Sequence, residues 1–363
     1  MSLSIRPLDK PELHRGYVQM TLTKYPEYGD NLDHLDTDSA VWTWLESYPL
    51  ARGMQRFVLV TEAEEVVGHL AAVPQLYRIK GSQVAAHTPA DFVVLDGYGF
   101  YALSLMRKFF RDYQDSVACD YFEESNRIQR WLGANEVSKL RFAVKFLDIS
   151  QLVQDSRFMP ESMTKLINRG LRAVDNLPVH SLEDDLKVEE LGGFDESFDK
   201  LFEAVASTVP CTTEKTAAFL RWRYGPGSPT EPVTVLGVKG ENSLLGYAVL
   251  RVTSRAPKEG YLLDLTTLPG RQDVARALCR EASFRFAQMG AYIVKYKFLE
   301  SVTSPRLQDL QRLGFITRRE GYDTLSVRFA DARLGETACD PANWSYSIGD
   351  TIASCAGAFR PSR

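Results

Sequence analysis

The sequence predicts a mixed α/β fold in which one unit occurs twice in tandem. Two observations lead to this prediction. Segments with alternating apolar residues and segments with helically spaced apolar residues follow each other in the same order in both halves of the chain. Short motifs also recur at a constant distance, since Gly246 follows Gly68 by 178 positions and Trp222 follows Trp44 by the same 178. Chance similarity would scatter such distances, so we infer an internal repeat.

The composition is that of an ordinary globular protein, with 44% hydrophobic and 25% charged residues. A chain of 363 residues has room for about two domains. The net charge of -4 argues against a nucleic-acid partner. No segment approaches the ~20 apolar residues of a membrane span, and the N-terminus lacks the apolar core of a signal peptide. We therefore expect a cytoplasmic protein; its oligomeric state stays open.

The first half is predicted to form a strand, two helices, three strands, and then helix, strand, helix and strand. The predicted segments are a strand at 4–8, helices from about 11 and at 38–44, strands at 56–61, 66–77 and 92–95, a helix at 102–113, a strand at 117–122, a helix at 125–132 and a strand at 140–147. Acidic or glycine turns separate the three central strands, which indicates an antiparallel meander.

The second half repeats this order, beginning with a strand at 187–191 and a helix at 196–206. We expect four parts in the chain. They are an N-terminal domain at 1–150 that binds the cofactor, a packed helical connector at 151–185, a C-terminal domain at 186–330 and a tail at 331–363. The tail contains an aromatic island at 343–346, and Trp344 is expected to dock it.

A candidate phosphate site lies at 91–104, where a buried strand, a short glycine turn and a helix start follow each other. The first N–H groups of a helix are unpaired and lie at the positive end of its dipole, so they bind anions. Gly97 and Gly99 allow a ligand to approach the backbone closely. Many α/β proteins turn a corner in the same way, so a plain turn remains open beside a phosphate site.

The order of elements and these motifs resemble the GNAT superfamily of acyltransferases. The residues that carry the resemblance are Val67-Gly68-His69, Asp91 to Ser104, Asn126 and Leu132-Gly133-Ala134 in the first copy, and Leu245-Gly246-Tyr247, Leu263 to Val274 and Leu313-Gly314-Phe315 in the second. The resemblance covers nearly all of both halves. It implies two tandem GNAT-like domains, each with a mixed central sheet and helices on both faces.

The resemblance also implies acetyl-CoA or another acyl-CoA as co-substrate. In such folds the fourth and fifth strands splay apart, the pantetheine arm adds to the fourth, and the pyrophosphate lies on the following loop. The implied cofactor-binding residues are Val93, Val94, Leu95, Gly97, Gly99, Phe100, Tyr101, Ala102, Leu103, Ser104 and Asn126. The second copy has the bulky Val274 and Arg276 in its loop, so the first copy is the better cofactor site.

For the reaction, the resemblance implies direct attack of an amine on the thioester in a ternary complex. A carboxylate or a water relay would act as general base. The catalytic candidates are Glu123, Asp91 and Tyr121. The tyrosine that acts as acid in the family falls on Gln129 and Leu310, so another group or water would have to protonate the thiolate. No metal is expected, because the cysteines and histidines lack metal-ligand spacing.

A run of alternating arginine and aromatic residues, Arg221-Trp222-Arg223-Tyr224, precedes a predicted strand. This composition is typical of an anion or ligand clamp, and similar runs occur in tandem GNAT-like proteins. We predict that it binds the acceptor, a small molecule, peptide or sugar amine. A packed helix end with arginines that extend to solvent fits equally well.

Two other functions stay open. Gly97-x-Gly99-x-x-Ala102 resembles the dinucleotide-binding fingerprint, which would make the protein an NAD(P)-binding oxidoreductase. That fingerprint belongs to a parallel sheet, whereas the strands before it read as antiparallel. The family's loop pattern R/Q-x-x-G-x-G/A lacks its leading Arg or Gln at 99–104 and both small residues at 271–276. Because neither loop is complete, the two copies could also form a non-catalytic acyl-CoA-binding or scaffold protein.

Overall fold

The computed structural model describes residues 3–26, 33–48, 53–153, 160–175, 182, 186–241, 243–254, 256–318 and 322–351. These residues form two mixed β-sheets with helices on their faces, so the predicted fold class is confirmed. Parts of the predicted connector and tail lie outside the described residues. No helix in the described ranges has the length and apolar character needed to cross a membrane.

The first half follows the predicted order of elements, with one additional short strand at 135–139. They are β1 (Leu3–Pro7), α1 (Pro11–Lys24), α2 (Asp33–Glu46), β2 (Gln55–Thr61), β3 (Val66–Ile79), β4 (Ser82–Val94), α3 (Ala102–Asp112), β5 (Ser116–Asp120), α4 (Glu123–Trp131), β6 (Asn135–Lys139) and β7 (Arg141–Phe146). The predicted strand at 92–95 is only the end of β4. A tight turn at Lys80 and Gly81 lets the rest of β4 pair with β3, although it contains Pro89.

The remainder of the chain begins with two connecting helices and continues with the second copy. Its elements are α5 (Ser150–Val153), α6 (Glu161–Asp175), β8 (Val188–Glu190), α7 (Glu196–Ala206), β9 (Cys211–Thr213), α8 (Ala217–Tyr224), β10 (Thr234–Lys239), β11 (Leu244–Val252), β12 (Glu259–Thr267), α9 (Gln272–Gln288), β13 (Ile293–Phe298), α10 (Leu307–Arg312), β14 (Ile316–Arg318), β15 (Thr324–Arg328), α11 (Ala332–Cys339) and β16 (Trp344–Ser345). The short strands β9 and β16 have no counterpart in the prediction. Trp344 is fully buried, as expected for the residue that docks the tail.

Each sheet includes strands from the other half of the chain: the second sheet takes β7, and the first takes β15 together with the short strands β9 and β16, which pair beside β3. The first sheet has the order β1-β2-β3-β4-β5-β15-β6, and the second has the order β14-β7-β13-β12-β11-β10-β8. Only Leu140 separates β6 from β7, and one residue is too short for a hairpin loop, so the chain runs straight from one sheet into the other. The Leu140 amide donates to the carbonyl of Asp323 at 2.8 Å. Asp323 directly precedes β15, the strand that returns from the second half of the chain to the first sheet.

This exchange corrects the sequence-based picture of each half as a closed unit. The strand predicted at 140–147 was expected to close the first copy, but β7 pairs with β13 and β14 of the second sheet. In return β15 lies between β5 and β6. The predicted boundaries at 150 and 186 therefore do not coincide with the limits of the two hydrogen-bonded sheets.

The central parallel strands of each sheet diverge, and this positions the candidate site. β4 and β5 share a single aligned pair, His87 with Ser116. β12 and β13 stay paired as far as Leu262 with Tyr296 and then separate. Both β4 and β12 carry a bulge where they separate from their parallel neighbours. At the first bulge Asp91 has a left-handed φ of 48°, which is uncommon for a residue other than glycine.

Candidate functional site

The opening between β4 and β5 forms a cleft in the first copy. Its closed end is held by Thr88, whose hydroxyl donates to the Val117 carbonyl at 2.7 Å. Beyond this point residues 89–94 of β4 are mostly half-buried. On this side no strand pairs with them in the described part of the chain. The edge of β4 can therefore accept an extended ligand by backbone hydrogen bonding.

The loop after β4 has the features of an anion site. It turns at Gly97, whose φ is 88°, forms a short 3-10 turn at Gly99–Tyr101 and continues into α3. A Cβ atom at Gly97 or at Gly99 would have no heavy atom within 4 Å, so the space above the loop is open. Among the described residues, the amides of Gly97, Gly99 and Phe100 donate to no backbone carbonyl. Such amides at a helix start are the donors that a pyrophosphate requires.

Asn126, in α4 on the other side of the cleft, has an unsatisfied acceptor. Its side chain is buried, and its Nδ2 donates to the Asp120 carbonyl at 3.3 Å. Its Oδ1 has no hydrogen-bond partner in the described parts of the chain. A buried acceptor without a donor is costly, so this atom suits a ligand that brings an N–H group. The amide groups of a pantetheine arm would supply one, so the residues present fit acyl-CoA.

Two of the predicted catalytic residues lie at the surface. Glu123 has a side chain that is 65% exposed and pairs with Arg130 at 2.5 Å. The hydrogen bond from Arg130 lowers the pKa of Glu123, so this carboxylate is a weaker base than usual. Tyr121, also a catalytic candidate, follows the last residue of β5 and is exposed, with its ring against Phe122 and Tyr322.

Asp91 is placed differently, in a half-enclosed polar cluster beside the cleft. Its Oδ2 accepts a hydrogen bond from the Tyr17 hydroxyl at 2.8 Å and lies 2.9 Å from Nδ1 of His69. Arg56 donates from Nε to Nε2 of His69 at 3.1 Å. Its guanidinium carbon lies 4.1 Å from the ring centroid of Trp42. The roles of Tyr17, His69 and Arg56 were not predicted from the sequence, because three different elements, α1, β3 and β2, bring these residues together.

The second copy has an aspartate at the equivalent position. Gly246 pairs with Thr267 as Gly68 pairs with Val94, which aligns Asp264 with Asp91. The Tyr247 hydroxyl donates to Asp264 Oδ2 at 2.8 Å, in the place that His69 takes in the first copy.

A buried lysine neutralises this second aspartate. Lys215 Nζ lies 2.9 Å from Oδ1 of Asp264 and 3.1 Å from Oδ1 of Asp350, and all three side chains are buried. Burial lowers the pKa of Lys215, but the two carboxylates outweigh burial and raise it. Burial also raises the pKa of Asp350, although Lys215 opposes the shift. The cluster ties the tail to β12.

The tail fills the cleft of the second copy. The Leu299 amide donates a hydrogen bond to the Tyr346 carbonyl at 2.8 Å. Next to it, Ser347 forms an isolated antiparallel β-bridge with Phe298, the last residue of β13. On the opposite wall, a Cβ atom added to Gly349 would lie 2.6 Å from the Leu263 carbonyl oxygen. Residues 346–350 thus lie between β12 and β13, where a pantetheine arm would have to enter.

The loop after β12 is also occupied by the chain itself. The Gly270 amide donates to the Val302 carbonyl at 2.9 Å, and the Thr267 amide donates to the Thr303 carbonyl at 3.1 Å. The Arg271 side chain pairs with Asp273 at 2.7 Å. The two copies therefore differ: the first has an open cleft and open loop, and the second has neither.

The arginine and aromatic run at 221–224 packs inside the protein, apart from the exposed Arg221. Arg223 is buried and donates from Nε to the Gly349 carbonyl at 3.1 Å and from its second terminal nitrogen to the Thr351 carbonyl. Tyr224 is buried against Gly349, and Trp222 stacks on Trp44. The structure therefore brings this run to the tail and to the contact between the two copies.

The turn at Gly97 and Gly99 lies in a sheet that does not suit the dinucleotide-binding alternative. The main partner of β4 is β3, which runs antiparallel to it over nearly its whole length. Its parallel partner β5 contributes one aligned pair. The dinucleotide fingerprint needs a strand inside a parallel sheet, so this observation weighs against it.

The two sheets, with their splayed strands and bulges, have the fold of the GNAT-superfamily acyltransferases. Among solved structures, N-myristoyltransferase from Saccharomyces cerevisiae with bound myristoyl-CoA is similar, with a TM-score of 0.52 and 12% identity over 90% of this chain and 82% of that one. A probable N-acyltransferase from Enterococcus faecalis gives a TM-score of 0.56 and 10% identity over 92% of this chain and 74% of that one.

A GCN5-related N-acetyltransferase from Anabaena variabilis is similar at a TM-score of 0.51 and 14% identity, over 78% of this chain and 64% of that one. No protein-family model and no curated protein matches the sequence. At these identities the likeness establishes the fold. The activity has to be argued from the site.

Proposed function

We propose that the protein transfers an acyl group, acetyl or longer, from acyl-CoA to an amine acceptor, and that the first copy holds the active site. The contrast between the two clefts supports this most directly. The first cleft presents the edge of β4, the amides of the loop around Gly99 and the unsatisfied Oδ1 of Asn126. The second cleft is filled by residues 346–350. We also propose that the two copies arose by duplication and that the second now supports the first.

Asp91 is the best-placed general base. It lies at the bulge of β4, beside the edge to which the pantetheine arm would add. In the proposed reaction Asp91 takes a proton from the acceptor ammonium. The neutral amine then attacks the thioester carbonyl, and the new C–N bond forms as the C–S bond breaks. The nitrogen gives its second proton to water and water protonates the leaving thiolate, so the products are the amide and the free thiol.

Water is the proposed acid because no suitable side chain takes the family's tyrosine position. Gln129 occupies it in the first copy, and its Nε2 donates to the Ser125 hydroxyl at 3.2 Å. For the acceptor site, we propose that Trp222, Arg223 and Tyr224 hold the tail and the contact between the copies. Their contacts with Trp44, Gly349 and Thr351 support this role over direct contact with substrate.

Calorimetric titration tests the cofactor class, with acetyl-CoA, myristoyl-CoA and NAD(P) as separate titrants. We expect saturable binding of at least one acyl-CoA with one site per chain. Two equivalent sites would contradict the assignment to one copy, and binding of NAD(P) without acyl-CoA would overturn the proposal. Release of free thiol from the bound acyl-CoA, measured with a panel of primary amines, then separates an enzyme from a binding protein.

A further inference from the structure

The aspartates at the two bulges are neutralised in different ways. In the second copy Lys215 contacts Asp264 directly at 2.9 Å, and the Asp264 side chain is 1% exposed. In the first copy the nearby cation, Arg56, hydrogen-bonds to His69 rather than to the carboxylate. The Asp91 side chain is 15% exposed. The second copy thus shows the arrangement that serves stability alone, and the first copy departs from it.

The contact between Arg56 and His69 determines which ring nitrogen carries the proton. A guanidinium group only donates hydrogen bonds and stays protonated in proteins. Its Nε is 3.1 Å from Nε2 of His69, so Nε2 must be the acceptor. The proton of the neutral ring then lies on Nδ1, which is 2.9 Å from Oδ2 and 3.0 Å from the backbone oxygen of Asp91. The Arg56 donor at Nε2 and the two Asp91 acceptors at Nδ1 therefore select the same tautomer, in which His69 donates to Asp91.

Aromatic rings and burial keep Arg56, His69 and Asp91 in this arrangement. The guanidinium carbon of Arg56 lies 4.5 Å from the ring centroid of Tyr17 and 4.1 Å from that of Trp42, so two aromatic faces hold the cation beside His69. His69 is completely buried. Its Nδ1–H reaches both the side chain and the backbone of Asp91, the residue with the left-handed φ. One donor thus holds both the bulge and the carboxylate.

We infer that Arg56 and His69 are positioning residues for Asp91. They hold its carboxylate in one orientation at the bulge, with the Arg56 guanidinium on the far side of the His69 ring. The Tyr17 hydroxyl supports the same oxygen from α1. This inference rests on the proposed function, since it gives Asp91 the role of general base.

The first test is spectroscopic and uses the full chain with nitrogen-15-labelled histidine. We expect His69 in the wild-type protein to have a protonated Nδ1 and an unprotonated Nε2, with the resonances assigned from a His69→Gln variant. Replacement of Arg56→Met should remove the hydrogen bond to Nε2 and shift the resonance of that nitrogen. A protonated Nε2 in the wild type, or an unchanged Nε2 resonance in Arg56→Met, would overturn the inference whatever the protein catalyses.

The second test measures turnover with the acyl-CoA and amine that give thiol release. Arg56→Met should lower kcat about tenfold while the KM for acyl-CoA changes less than twofold, and Arg56→Lys, which keeps a cationic N–H donor, should recover most of the loss. Arg78→Met is the matched control, because Arg78 lies on the same sheet, is mostly buried and stacks on Phe202 at 5.1 Å.

An equal fall of kcat in Arg78→Met would mean that Arg56 acts through general stability, and the inference would be wrong. An unchanged kcat in Arg56→Met would overturn it as well. Absence of thiol release by the wild-type chain with every amine would overturn the proposed function together with this inference. If acyl-CoA still binds in that case, the protein binds acyl-CoA without transferring the acyl group.

Discussion

Trp44 and Trp222 stack on each other where the two copies meet. Their ring centroids are 4.2 Å apart and their planes differ by 4°. Each indole N–H donates to the backbone carbonyl of the other residue, at 2.9 Å from Trp44 and 3.2 Å from Trp222. The two residues are 178 positions apart, which is the spacing of the repeat, so equivalent positions of the two copies meet in a reciprocal contact.

This reciprocal contact predicts strong coupling between the two tryptophans. Replacement of Trp222→Leu should lower the free energy of unfolding by about 2 to 3 kcal/mol, because a large, partly buried ring and its hydrogen bonds are lost. The double variant with Trp44→Leu should cost at least 0.5 kcal/mol less than the sum of the single changes, by the usual size of coupling between contacting residues.

Denaturant titration of the four proteins measures the coupling between Trp44 and Trp222. Trp131→Leu is the control, since Trp131 is exposed and should change stability by roughly 0.5 kcal/mol or less. Strict additivity of the two single changes would show that the stacked pair does not act as a unit.

The loop of the first copy predicts a selective effect of Gly99→Val on acyl-CoA binding. A side chain at this position meets nothing within 4 Å and needs no positive φ, so the variant should fold with nearly unchanged stability. It would nevertheless occupy the space where the pyrophosphate approaches the free amides. We expect the Kd for acyl-CoA to rise at least tenfold, on the order of 1.4 kcal/mol.

Calorimetry with Gly192→Val as control checks this expectation, because Gly192 also has open space around it and lies in an exposed turn of the second copy. Equal affinity in the wild type and in Gly99→Val would remove the cofactor from the first loop. The proposed site would then be wrong.

The buried cluster at the tail predicts a large effect of Lys215→Met. Without the ammonium group, Asp264 and Asp350 would stay buried as two carboxylates without their common cation. Removal of one partner from such a buried cluster typically costs about 3 to 5 kcal/mol. A second change, Asp350→Asn, should restore part of this stability by removing one of the charges.

Unfolding curves of these variants are compared with those of Lys239→Met. Lys239 pairs with Glu189 at 2.7 Å, but both side chains are about half exposed, so the expected loss is roughly 1 kcal/mol or less. Similar losses for Lys215→Met and Lys239→Met would mean that the tail is not held by the buried cluster.

His87 lies at the closed end of the first cleft. Because its pKa is lowered, we expect the protein to lose stability in mild acid. Burial lowers the pKa of His87 from 6.5 to about 4, against the opposing effect of Asp115. The unfolded chain therefore binds more protons than the folded one between these two values. The contribution of neutral His87 is complete above pH 6.5 and is lost as the pH falls through about 4.

Replacement of His87→Phe, which can keep the ring contact with Tyr113 at 4.1 Å, should reduce the fall in denaturant midpoint between pH 7 and about pH 4. His14→Gln, at an exposed position of α1, should leave the pH dependence as in the wild type. A steeper fall in His87→Phe than in the wild type would contradict the assigned direction of the pKa shift.

Local patterns in the sequence were sufficient to predict the fold class and the glycine turn between β4 and α3. Helical and strand periodicity depend on residues a few positions apart, so the order of elements from β1 to α4 is visible without a structure. The glycine turn at 97–99 and the position of Asn126 in α4 follow the resemblance and lie beside the open cleft. The extent of β4 was underestimated, because its first half has no apolar alternation and is held by pairing with β3.

The catalytic candidates show where local patterns stop being informative. Asp91, Glu123 and Tyr121 all follow or lie in strands of the first copy and looked alike as candidates. The structure separates them by environment: Asp91 is held by Tyr17 and His69, Glu123 pairs with Arg130, and Tyr121 is exposed. Burial and partners are contributed by α1 and β3, which lie far from Asp91 in the chain.

Most of the elements and their order along the chain follow from the sequence alone, because each depends on short-range periodicity and turn chemistry. Only the tertiary structure decided which strands complete which sheet and which cleft stays open. Leu140 leads β7 into the second sheet, and the tail closes the second cleft through Asp350 and Gly349. These outcomes depend on burying apolar and charged groups against partners more than one hundred residues away, such as Arg223 against Gly349. Patterns of neighbouring residues contain no information about such distant partners.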